Sequence, residues 1–261
     1  MSELSKDIEF IIEHSKDVWQ HLNMKMPLSR MHSFVFGLTE RFFFTALGLR
    51  PLLSELTQTP QVEFSIGIIL RSTILDILVA LNFHKALLKN STSTADAEKF
   101  ANEMLADGLK FTLNYFDQAK NCGLISAQEL KDNYNDIAKR FKPFFEQHNS
   151  DGTKPVIKYS KYYSPEALFS NVYQEKEMRE ISKFIDLYQF YSKYDHFGIL
   201  YFDLVRQPMA QKIENINSVV IGMVIHLFTL ISALNYLDNS DTFYIEKLKV
   251  MAKYIEERRK K

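Results

Sequence analysis

The chain has 261 residues, and its 32 Lys+Arg are matched by 32 Asp+Glu, so the formal charge is zero. That balance excludes binding driven by bulk charge, because a protein that gripped nucleic acid chiefly through phosphates would carry a basic excess or a strongly basic face. With only 8 Gly and 7 Pro against 46% hydrophobic residues, the composition is that of a helical globular protein with few tight turns and a large core.

Residues 4–23 place Ile8, Ile11, Ile12, Val18, Trp19 and Leu22 at helical spacing between charged residues, which predicts an amphipathic first helix. A more apolar segment, 29–55, follows, with a bend or interruption expected where Pro51 removes an amide donor. Turn chemistry makes 57–60 a linker. Residues 62–89 are apolar almost all round apart from Arg71 and Asp76, the pattern of a central helix. Ser93 or Thr94 can cap a fourth helix that Asn121 to Gly123 closes, and Ser126 with Glu129 forms a capping box for a fifth helix reaching about Gln147.

Residues 149–164 are the longest break; Ser164, Pro165 and Glu166 then restart a helix by N-cap, N1 proline and acidic first turn. Helical spacing resumes over 175–194, and two further helices are expected at 211–237 and 241–259. No alternating strand pattern, repeat or low-complexity tract is present. The expectation is an all-α bundle of eight to ten helices in a single domain, 1–261. Its N-terminal helices (1–57) pack on a 60–240 core, and 241–261 forms a closing helix.

The single Cys122 excludes an internal disulfide and a thiolate metal site, and fits a reducing, cytoplasmic setting. The opening MSELSKDIEF has acidic residues where a signal peptide carries its apolar core. Residues 218–237 run 20 residues without a formal charge, long enough for a membrane span. His226 and Asn235 interrupt that run, and Trp and Lys/Arg flanks are missing, which favours a buried core helix and no stable membrane association.

Function is sought where polar groups fall at positions that the pattern buries, since an unpaired buried polar group costs roughly 2–7 kcal/mol. Arg71 and Asp76 are five residues apart, about 140° around an ideal helix, so each needs partners on other helices. In YQFYSKYDH, Tyr188, Ser192 and His196 share one helical face and Tyr191 and Asp195 run beside it. Glu40 and Arg41 sit among phenylalanines, and their alternation turns one of them inward.

The Arg and acid within RSTILDILVALNF, followed by a Tyr/Ser helix running into His in YQFYSKYDHFG, resemble bacterial helical proteins of the HEPN-like group, the "higher eukaryote and prokaryote nucleotide-binding" bundles. The resemblance covers roughly 60–240. It implies that Arg71, Asp76 and His196 gather at the polar centre of the bundle, and the group includes RNA-cleaving toxins and defence proteins. Active members carry Arg, four to six residues, then His on one helix; no Arg here precedes a His at that spacing. The resemblance therefore implies a binding or scaffold protein with a protein partner, a second copy, or an RNA or nucleotide ligand. Its alternative is a metal-independent ribonuclease in which Arg71 supplies the cation and His196 moves the proton.

Simpler readings stand beside these. Arg71, Asp76 and His196 also suit an internal network that fixes helix register. His14 and His21 lack the carboxylates of a metal site, and no metal or other cofactor is expected. His84, near a helix end, suits a dipole contact. There is no HExxH, glycine-rich phosphate loop or Gly-x-Ser-x-Gly elbow. KPVIKYSKYY, 154–163, interleaves three Lys with three Tyr, either as a surface on which bases stack or as a loop laying rings on the bundle. The basic C-terminal residues ERRKK read as a solvated helix end.

Overall fold

The computed structural model describes residues 2–59, 61–89, 93–146, 151–159, 161–173, 182–192 and 207–260. These residues form nine α-helices and no strands. They are α1 (Ser2–Met24), α2 (Arg30–Glu55), α3 (Val62–Leu88), α4 (Ala95–Asn121), α5 (Ala127–Arg140), α6 (Pro165–Tyr173), α7 (Ser182–Ser192), α8 (Met209–Leu237) and α9 (Thr242–Arg259).

Two helix ends are written plainly in side chains. The Ser126 hydroxyl accepts from the Glu129 amide at 3.1 Å and the Glu129 carboxylate accepts from the Ser126 amide at 2.6 Å, closing the capping box. At the end of α4, Gly123 adopts φ +71°, and the amides of Gly123 and Leu124 donate to the carbonyls of Lys120 and Ala119. That is the left-handed closure glycine permits. Elsewhere the boundaries differ from the sequence pattern. α2 continues through Pro51, which lies on the exposed side, where water can meet the carbonyl that proline leaves without a donor. α5 stops at Arg140 and gives way to a 3-10 turn, Lys142–Phe144, because Pro143 cannot donate and disfavours α geometry in the residue before it.

α3 is the centre, packed by α2, α4, α6, α7 and α8. Every residue from Ile77 to Phe83 is buried, as expected of a helix with neighbours on all sides. α1 offers Leu4, Ile8, Ile11, Val18 and Leu22 as one apolar stripe to α2 and α8. α8 crosses α3 and α7 closely at Gly222, where an added Cβ would come within 2.5 Å of the Phe184 ring. Both α3 and α8 are long and apolar enough to cross a membrane; 61% and 67% of their most apolar stretches are buried inside the bundle.

A second, smaller cluster stands apart from this core. Leu109 and Leu113 on the outer half of α4 meet Tyr134 and Ile137 of α5, with Phe144 and Phe145 beyond them. A short antiparallel bridge, Phe145 to Ile157, the Lys154–Asp117 ion pair at 2.5 Å and the Tyr159 ring tie the following segment back to it. α4 runs continuously from the principal core, where Phe100 packs, into this outer lobe.

Candidate functional site

Arg71 and Asp76 face different helices. The Arg71 guanidinium lies over the Tyr188 ring of α7, 5.4 Å from its centroid, a cation–π contact. Asp76 is buried and accepts from Nε of Arg41 on α2 at 2.8 Å, while Arg41 also donates to Ser72. Burial pushes the Asp76 carboxyl above its ordinary value, with Arg41 pulling the other way. Arg71 and Asp76 are thus held by α7 and α2 respectively.

Tyr188 also meets Phe169 of α6 edge-on at 6.0 Å. Tyr191 is 1% exposed, and its phenol is pushed well above the ordinary range, first by burial and then by the nearby Glu63 carboxylate. The Ser192 hydroxyl donates back to the Gln189 carbonyl at 2.7 Å. Asp195 and His196 lie outside the described residues. Glu40 turns to α1, where it accepts from the Trp19 indole at 3.2 Å. Neither member of the Glu40–Arg41 pair is idle, because the two project toward α1 and α3 respectively.

The histidines divide by burial. The expectation that His14 lacks carboxylates is corrected: Glu13 and Asp17 sit beside it as a compact group that could ligate a cation, but the Lys247 ammonium is already there, donating to Asp17 and lying 3.4 Å from His14 Nδ1. His84 lies in the last turns of α3, and burial holds its pKa below the ordinary value. His226 of α8 is deeply buried, and its pKa is pushed down to about 3, first by desolvation and then by His84. Its Nδ1 has no hydrogen-bond partner among the described residues.

One open cleft was missed by the sequence pattern. A cavity of about 320 Å³ lies between the end of α3, the start of α4, α6 and the segment 161–163. Four lysines, Lys85, Lys89, Lys99 and Lys161, line it against two carboxylates, Asp96 and Glu103. Both carboxylates are engaged: Asp96 pairs with Lys89 at 3.2 Å, and Glu103 accepts from the Tyr163 hydroxyl at 2.6 Å. Lys85 donates to the Asn171 carbonyl at 2.5 Å, and Lys85 and Lys89 offset the negative end of the α3 dipole. Lys99 and Lys161 are therefore surplus positive charge, and Lys161 sits 4.4 Å from the centroid of the Tyr163 ring. Phe100, against which Tyr163 packs at 5.1 Å, completes an aromatic wall.

The KPVIKYSKYY segment thus divides. Tyr159 packs on the outer lobe and Tyr163 on the bundle, while Tyr162 is 64% exposed. Of its lysines, Lys154 pairs with Asp117 on the outer lobe, and Lys161 joins those of α3 and α4 in the cleft. Comparison of the chain with protein-family models, with curated proteins and with solved structures returns no match, which leaves its own side chains as the ground for a functional reading.

Proposed function

We propose that the chain is a non-catalytic binding protein of the HEPN-like kind, which holds a nucleotide-containing ligand by its phosphate in the lysine cleft. The observation that carries this is the surplus cation pair Lys99 and Lys161 beside the Tyr163–Phe100 wall. Cations and ring faces together are what a phosphate joined to a base requires. With no net charge on the whole chain, affinity must come from such a local patch. A bacterial cytoplasmic role in stress or phage defence, with a protein partner or a second copy and without stable membrane association, follows by analogy with the group the motifs resemble.

The test is a titration of the intact protein with a fluorescent adenosine nucleotide and a short labelled oligouridine. Saturable, salt-sensitive binding is expected, weakened about tenfold or more by Lys99→Glu with Lys161→Glu. Absence of saturable binding to either probe, or binding indifferent to both charge reversals, would overturn the reading.

The Arg71–Tyr188 contact supports a second reading, because it brings a cation onto the helix whose sequence leads to His196. On this reading the protein cleaves RNA, with Arg71 stabilising phosphate charge and His196 transferring the proton. Metal-independent degradation of RNA, abolished by His196→Ala and by Arg71→Ala but kept by the cleft variants, would displace the binding-only proposal.

A further inference from the structure

A second cavity, of about 180 Å³, lies on the opposite chemistry, between α8 and α9. Ile221, Val224 and Ile225 occupy positions i, i+3 and i+4 of α8 and form one wall; Ile255 of α9 forms the other. An apolar cavity of about 150 Å³ is large enough to take up benzene, so this slot admits a short hydrocarbon chain.

Its polar boundary is built from three groups. Asp7 of α1 is fully buried, but its carboxylate is satisfied: Nε of Arg258 donates to it at 3.1 Å and the Tyr254 hydroxyl at 2.8 Å. Arg258 is also committed to Asn217 through Nη2. Arg259 is the remaining cation lining the cavity, and among the described residues it makes no ion pair or hydrogen bond. Nor do the neighbouring acids of α9 neutralise it, since Glu256 pairs with Lys260 at 2.9 Å and Glu257 lies 4.0 Å from Lys253. The cavity thus combines an apolar slot, a neutralised buried acid and one uncompensated guanidinium.

We propose that this cavity binds a small apolar carboxylate, an acyl chain of about six to eight carbons, whose tail fills the Ile/Val slot and whose head pairs with Arg259. A guanidinium matches a carboxylate through two parallel N–H donors. The site stands on residues separate from the lysine cleft, so either assignment can fail without the other.

Calorimetric titration of the intact protein with butanoate, hexanoate, octanoate, decanoate and octanol tests it. Affinity is expected to rise about fourfold per methylene until the slot is full and then level off. Arg259→Glu is expected to weaken octanoate about tenfold while leaving octanol unchanged. Ile225→Trp, at a half-buried position, should fill the slot and remove both ligands at an unchanged melting temperature; Ile221→Phe serves the same purpose if the tryptophan variant does not fold. A steady rise through decanoate, no saturable binding, or octanoate binding that ignores both the charge reversal and the slot-filling variants overturns the assignment.

Discussion

Replacing Lys212 by methionine is expected to destabilise the protein by about 3–5 kcal/mol, the cost of leaving one member of a buried ion pair without the other. Lys212 of α8 donates to Glu63 of α3 at 2.5 Å, and their side chains are only 6% and 5% exposed. With the ammonium gone, Glu63 would stay in a low-dielectric interface, close enough to Tyr191 to raise its phenol pKa. Replacing both residues, with Glu63→Leu beside Lys212→Met, is expected to recover most of the loss, since apolar groups of similar volume are tolerated where such pairs stood. Urea unfolding of the two single variants and the double variant measures this directly. Single-variant losses below about 1 kcal/mol would mean that the pair behaves as a solvated surface bridge.

Acid is expected to erode stability well above the carboxylate range, and His226 is the main cause. Its folded pKa is about 3, whereas an unfolded histidine takes its proton near 6.5. Between those values the unfolded chain binds one more proton than the folded chain, so stability rises with pH across the window and falls as pH drops through it. The slope is about 1.4 kcal/mol per pH unit, and the loss at pH 5 is about 2 kcal/mol. His14, His32 and His84 are also pushed downward, chiefly by burial, and add to the same trend. Asp76 opposes it within the carboxylate range, because its raised pKa makes the folded state the better proton acceptor. Urea midpoints measured from pH 7.5 down to pH 5 should show the decline. His226→Leu should flatten it by about one proton's worth. An unchanged slope in that variant would place the acid sensitivity elsewhere.

Much of the architecture was legible because it is local or compositional. The Ser126–Glu129 box and the Gly123 closure are encoded within a few residues, and the all-round apolarity of α3 follows from its residue types. The candidate sites were less legible because they are joined across the chain. Sequence spacing could say that Arg71 and Asp76 face apart, but not that Tyr188 and Arg41 would receive them. The lysine cleft draws on four stretches, each ordinary by itself: two lysines ending a helix, one on an exposed helical face, one in a loop, and a half-buried asparagine. In the C-terminal ERRKK, Glu257, Arg259 and Lys260 are exposed as a solvated end should be, and Arg258 is the departure. Arg258 reaches back 251 positions to the buried Asp7 of α1, a pairing that no local pattern encodes.

The two hydrophobic clusters differ in how far apart along the chain their members lie. The outer lobe closes entirely within residues 106–159, whereas the principal core joins Leu4 to Met251. Closing short loops costs little chain entropy, and contacts near in sequence form fastest. During synthesis, therefore, α4 and α5 can pair while the C-terminal third is still inside the ribosome. α1 can pair with α2 as early, but the side of its stripe that faces α8 stays uncovered until that helix emerges. That interval, with one side of α1 still bare, is when the nascent chain most needs shielding from aggregation.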